Sequence, residues 1–179
     1  MAIIIFDFDD TVFDTNRLKN DVIERFVLNG IKRDLAEDSY HKAKSENGVY
    51  SLNSHICSIN NSQNTEVPKD FYVWFENLDL TQYVFSDVEV LLSELKKNHK
   101  LILLTKGENE FQNFKINKSG LAEHFAEIHI TAGDKEIYLE SFNFAEPVIF
   151  INDKSDENQK VQEKFPHFHV SQKYEKGDI

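Results

Sequence analysis

Residues 3–15 read IIIFDFDDTVFDT, an apolar run that closes on three carboxylates, Asp7, Asp9 and Asp10. Like charges this close repel one another unless something positive compensates. A hard divalent cation such as Mg²⁺ meets that need, because it prefers oxygen ligands. Asp153 closes a second apolar run, VIFIND, and offers a further carboxylate. Thr105 closes a third run, LILLT, and is followed by Lys106 and Gly107. A hydroxyl with backbone and ammonium donors beside it suits a phosphate. Lys135 opens the helical pattern DKEIYLESF and adds a point charge. Together these residues suggest that a divalent cation and a phosphoryl group are handled at strand ends.

Such residues act together only if a fold gathers them. The runs Ile3–Phe6, Leu101–Leu104 and Val148–Ile151 are continuously apolar, as expected of central parallel strands covered on both faces. The runs 127–131 and 167–171 alternate more and read as peripheral strands. Helical patterns separate the later runs. Val88, Leu91, Leu92 and Leu95 share one face, with capping-box spacing between Ser86 and Glu89. ENEFQNFKINKSGL brings Phe111 and Phe114 together and is expected to end at Gly120 in a left-handed conformation. SDENQKVQEKF reads as the last helix. This alternation predicts an α/β fold, a Rossmann-like parallel sheet flanked by helices. In such sheets ligands bind at the carboxyl ends of the strands, where the acids lie.

Residues 16–83 show no strong strand pattern. Leu18, Val22, Ile23, Phe26 and Val27 lie on one helical face, and 34–46 and 69–78 also read as helices. The Asn- and Ser-rich stretch between them is expected to hold a short helix and loops. Phe71, Tyr72, Trp74 and Phe75 read as the core of this part. The predicted organisation is a discontinuous core, 1–15 with 84–179, and a small all-helical domain over 16–83.

Composition sets the partners. With 31 acidic against 20 basic residues the formal charge is −11, so nucleic acid and anionic membrane are poor partners. The single cysteine, Cys57, excludes an internal disulfide and fits a reducing compartment. The N-terminal apolar run is too short for a signal peptide or a membrane span. A cytoplasmic protein acting on a small substrate is expected.

Taken in order, D-F-D-D-T at 7–11, Thr105, Lys135 and Asp153 resemble the four motifs of the haloacid-dehalogenase-like (HAD) superfamily. The helical insertion after the first motif resembles that family's cap module. The resemblance implies a hydrolase of phosphoric monoesters. Asp7 would be the nucleophile that forms an aspartyl-phosphate. Asp9 would be the general acid and then the base, with its pKa raised by burial and a neighbouring carboxylate. Mg²⁺ would be held by Asp7, Asp153 and the backbone carbonyl of Asp9. Thr105, Lys106 and Lys135 would hold the phosphoryl oxygens, Lys106 chiefly through its backbone. Members that cleave carbon–halogen bonds typically lack the second acid, so Asp9 implies phosphate esters instead. The implied substrate is a small phosphorylated metabolite of the nucleotide, sugar phosphate or phosphoglycolate type. A phosphomutase using the same residues is the alternative, and a non-catalytic phosphoacceptor or binding module a weaker one.

Two positions depart from the pattern. Asp10 stands where the family often has Gly. Asn152 precedes Asp153 where many members have Gly or a second acid, so Asp156 or Glu157 is a candidate to assist the metal. Lys115 and Lys118 are rivals to Lys135, but their mid-helix positions argue against them.

Overall fold

The computed structural model describes residues 1–44, 48–64 and 66–173. Five strands form one sheet: β1 (Ile3–Phe6), β2 (Lys100–Lys106), β3 (Glu127–Thr131), β4 (Val148–Asn152) and β5 (His169–Gln172). Their order is β3-β2-β1-β4-β5, and every pair is parallel. The continuously apolar runs occupy the three central positions, as their pattern predicts. Ile3, Ile5, Ile102, Leu104, Val148 and Phe150 form one core with Leu139, Val161 and Phe168. The alternate residues Ile4, Phe6, Leu101 and Leu103 are buried as well, so the central strands are covered on both faces. The direction of strand addition reverses between β1 and β4. Their carboxyl ends therefore flank the crevice where open α/β sheets bind ligands.

The chain divides into two compact units, 1–15 with 80–179, and 16–79. Residues 80–83, expected with the helical insert, thus group with the sheet. Leu80 and Tyr83 are buried, and the Tyr83 carbonyl accepts from the Asp14 amide at 2.7 Å.

The helical unit contains α1 (Thr15–Leu28, whose first residue belongs to the sheet unit), α2 (Arg33–Lys42), α3 (Leu52–Gln63) and α4 (Lys69–Glu76). The helix expected over 34–46 ends at Lys42, and its last expected turn runs into 45–47, outside the described residues. The short helix expected next is the 12-residue α3. Its length comes from its ends rather than from apolar content. Ser51 accepts from the Ser54 amide, and Asn64 closes the helix at φ 52°. Phe71 stacks on Phe26 at 4.2 Å, but Tyr72, expected in the core, is 40% exposed.

His55 is fully buried in this unit. Its Nε2 lies 2.8 Å from the Ala36 carbonyl, which can only accept, so the neutral ring carries its proton there. Nδ1 then accepts from the Tyr50 hydroxyl at 3.0 Å. Burial lowers the ring to about 4, against a smaller raising effect of the Ala36 bond. The unfolded chain therefore takes up the proton first. The contribution is full above pH 6.5 and drains away as pH falls from 6.5 to about 4. The loss expected is roughly 3 kcal/mol. An NMR titration of the His55 ring checks this, and a midpoint near 6.5 would refute it.

The sheet unit also holds α5 (Val88–Leu95), α6 (Asn109–Lys118), α7 (Lys135–Tyr138) and α8 (Ser155–Lys164). The capping box expected from Ser86 does not form. α5 starts at Val88, so Asp87 is the cap residue and makes no side-chain capping bond. Gly120 adopts φ 77°, and Leu121 after it is fully buried, as the sequence predicts.

Candidate active site

The site begins where β1 ends. The Asp7 amide continues the ladder by donating to the Ile151 carbonyl at 2.9 Å. The chain then turns on itself, with the Phe8 carbonyl accepting from the amides of Val12 and Phe13. Phe8 and Phe13 are buried and stack at 4.9 Å, which fixes the turn. Asp10 sits in it at φ 57°. That conformation explains a preference for Gly at this position, and Asp is among the few side chains that tolerate it. Thr11 ties the turn to β4, because its hydroxyl accepts from the Asp153 amide at 3.1 Å. Buried Lys173 supports it by donating to the Thr11 carbonyl at 2.6 Å.

Asp7 is 1% exposed. Its Oδ1 lies 2.8 Å from Lys135 Nζ. Its Oδ2 is buried without a hydrogen-bond partner, and so is Oδ1 of Asp153. Burial raises the Asp7 carboxyl; Lys135 and Lys154 oppose this, and Asp9 adds to it. Asp153 is pushed up to about 6, first by burial and then by the Asp7 charge. Two carboxyls with orphaned buried oxygens, one raising the other, want a cation. Among the described residues no group of three or more His, Cys, Asp or Glu side chains forms a metal cage. The donor set nevertheless fits Mg²⁺, which commonly takes one or two carboxylates and fills its octahedron with waters and substrate phosphate.

Lys135 is buried, and its three donors face three protein oxygens. These are Asp7 Oδ1 at 2.8 Å, Glu157 Oε2 at 2.8 Å and Asn152 Oδ1 at 3.3 Å. Lys135 is therefore the counter-ion of Asp7, and a bond to a phosphoryl oxygen requires it to release one of these partners. The Lys106 side chain turns to another partner, which leaves only its backbone for the role expected of it. Its ammonium is 3.0 Å from Asp134 Oδ1, so its side chain is spent on the residue before α7. Asn152 is buried and neutral, and faces Lys135 and α8. Glu157, a candidate to assist a metal, instead pairs with Lys135 and with Lys154.

Asp9 differs most from expectation. Lys115 and Thr15 both donate to its Oδ1, and Gln112 Nε2 donates to Oδ2 at 2.6 Å. Burial pushes this carboxyl up, but the Lys115 charge and these hydrogen bonds outweigh it, and the net shift is downward. The raised pKa expected for Asp9 is thus corrected: the site presents it as a carboxylate. The rivalry of Lys115 is corrected too, since this mid-helix lysine is 2% exposed and reaches the site. Thr105 is buried, and its Oγ1 accepts from Gln112 Nε2 at 2.7 Å.

A buried carboxylate at a strand end, a second two residues on, a hydroxyl, a buried lysine and a further acid are thus gathered at the carboxyl end of the sheet. The profile of the haloacid dehalogenase-like hydrolases matches residues 1–152. This chain belongs to that family. No curated protein matches it in sequence. The hydrolase is similar in fold to a protein described as a haloacid dehalogenase-like hydrolase from Burkholderia xenovorans. That comparison has TM-score 0.80 and 16% identity, covering 96% of this chain and 82% of the other. It is also similar to a protein described as a β-phosphoglucomutase from Thermotoga maritima, with TM-score 0.63, 18% identity and coverage of 95% and 84%. An L-2-haloacid dehalogenase from Xanthobacter autotrophicus matches with TM-score 0.59, 15% identity and coverage of 96% and 77%. At these identities the neighbours share the hydrolase's fold. No helix among its described residues is long and apolar enough to cross a membrane.

Proposed function

We propose that this hydrolase is a Mg²⁺-dependent phosphatase of small phosphorylated metabolites, acting through an aspartyl-phosphate on Asp7. The observation that carries this reading is the second acid. Asp9 is held by three donors two residues beyond Asp7. Water attacking the aspartyl-phosphate must lose a proton, which requires a placed acceptor. In the first step an Asp7 oxygen bonds to phosphorus while the ester P–O bond breaks and the leaving alkoxide takes up a proton from solvent. In the second, water bonds to phosphorus, Asp9 accepts its proton, and the Asp7 O–P bond breaks to give inorganic phosphate. The Thr105 hydroxyl and the Lys135 ammonium stabilise charge on the phosphoryl oxygens. Asp7 and Asp153 would hold Mg²⁺, which when bound neutralises phosphoryl charge.

The test is phosphate release from nucleoside monophosphates, sugar phosphates and phosphoglycolate, with and without Mg²⁺. Mg²⁺-dependent release from one class is the expected result. An isomerised ester with little free phosphate would make the protein a mutase. Halide release from a 2-haloacid with no phosphatase activity would overturn the reading.

A further inference from the structure

We propose that Gln112, backed by Lys115, is a positioning residue that aims Asp9 at the attacking water and leaves the Thr105 hydroxyl proton for the phosphoryl oxygen. This rests on the phosphatase reading. α6 buries Gln112, Lys115 and Ile116. Two of these three inward-facing side chains are polar, and both reach Asp9. The Gln112 amide can be oriented only one way, because the Asp9 carboxylate accepts and cannot donate. Its Nε2 donates to Asp9 Oδ2 at 2.6 Å and Thr105 Oγ1 at 2.7 Å, with the Lys106 carbonyl a longer third acceptor at 3.3 Å. Thr105 Oγ1 is thereby fixed as an acceptor toward the protein, and its own proton is left to point elsewhere. One amide group thus sets both the general base and a phosphate ligand.

Two further observations separate this from ordinary core packing. The Gln112 carbonyl oxygen, Oε1, is buried with no partner. A glutamine placed for stability would satisfy both ends; this one satisfies only the end that faces the site. The chain also makes room for it. A Cβ on Gly107 would lie 2.5 Å from Gln112 Cγ and 2.7 Å from Nε2. Any other residue after Lys106 would push the amide off Asp9 and Thr105.

The experiment uses 4-nitrophenyl phosphate, whose leaving group needs no proton, so the first step is insensitive to Asp9. Turnover and the steady-state level of hydroxylamine-labile phosphoprotein are measured for wild type, Gln112→Leu, Lys115→Met and Ile116→Val. In Gln112→Leu, kcat should fall about 30–100-fold while kcat/KM changes by less than about 5-fold, because only the water step loses its aligned base. The phosphoprotein should accumulate, and Lys115→Met should show the same split should Gln112→Leu not fold. Ile116→Val, which changes packing on the same helix face without touching Asp9, should show neither effect. Equal losses in kcat and kcat/KM without phosphoprotein overturn the proposal while leaving the phosphatase reading intact, as does accumulation in Ile116→Val. A wild type that neither releases phosphate nor labels Asp7 removes the phosphatase reading and this proposal with it.

Discussion

Lys135→Met should destabilise the protein by about 3–5 kcal/mol and reduce phosphate release by at least about 10²-fold. The lysine side chain is fully buried, with Asp7 Oδ1 and Glu157 Oε2 each 2.8 Å from its ammonium. Methionine fills the space but removes the charge. Two carboxylates that had accepted from one donor are then left without it, and an unpaired buried charge is the costly case. Arg is no remedy, because a planar guanidinium does not fit a site shaped for a compact ammonium. Urea unfolding should show a lower midpoint with an unchanged slope. The sign of the pH dependence is a second check. Without Lys135, the lowering influence on Asp7 and Glu157 is gone, so both protonate more readily in the folded state. The deficit relative to wild type should shrink as pH falls toward 4, and Glu157→Gln in the Met background should recover part of it. A loss below about 1 kcal/mol at neutral pH would show that Lys135 is not the counter-ion described here.

The sheet and half of the site can be read from the sequence because they obey simple patterns. Ile3–Phe6, Leu101–Leu104 and Val148–Ile151 are buried on both faces and so are continuously apolar. Asp7, Thr105 and Asp153 interrupt those runs at their carboxyl ends, where a parallel sheet binds ligands. The other half is carried by residues whose types suit solvent equally well. Gln112 and Lys115 read as a polar helix face, yet with Ile116 and Ser119 they follow i, i+3, i+4, i+7 spacing and all four are buried. The half-buried Phe111 and Phe114 draw attention to another face. That polar stripe, on the helix after Thr105, was the available signal. Glu157 has no comparable signal, since only the fold brings the first turn of α8 to Lys135. The Lys106 side chain depends on the fold in the same way: on a strand adjacent side chains point to opposite faces, and beside Thr105 its ammonium finds Asp134. Asp9 shows how a pKa can be judged wrongly from neighbours in sequence. Burial and Asp7 argue for a rise, but a lysine 106 positions away decides the sign.

Mg²⁺ should raise the melting temperature of the wild type, and Asp153→Asn should abolish that rise while making the metal-free protein more stable. The argument starts from the two orphaned oxygens, Asp7 Oδ2 and Asp153 Oδ1. In the metal-free protein they are a liability. Asp153 has its carboxyl pushed up to about 6 by burial and by Asp7. Between the ordinary carboxyl value of 3.8 and 6 the folded state binds the extra proton, so stability falls as pH rises through this window. Above it the full penalty is present, and Asn at 153 removes it. A divalent cation removes the same penalty by binding the folded state alone. At a hundredfold excess over its dissociation constant it contributes about 2.7 kcal/mol, which for a chain of this size is a shift of about 5–10 °C. Calorimetry at pH 7.5 with and without Mg²⁺ reads both effects without any substrate. Asp153→Asn should also lower phosphate release by about 10³-fold, the scale of a lost Lewis acid at a phosphoryl centre. Asp7→Asn should lose release altogether, since an amide oxygen forms no acyl-phosphate that water can turn over. The opposed signs give the test its force. A substitution that merely damaged the fold would lower the melting temperature and the activity together. Loss of a cation ligand raises the first in the absence of metal while it destroys the second.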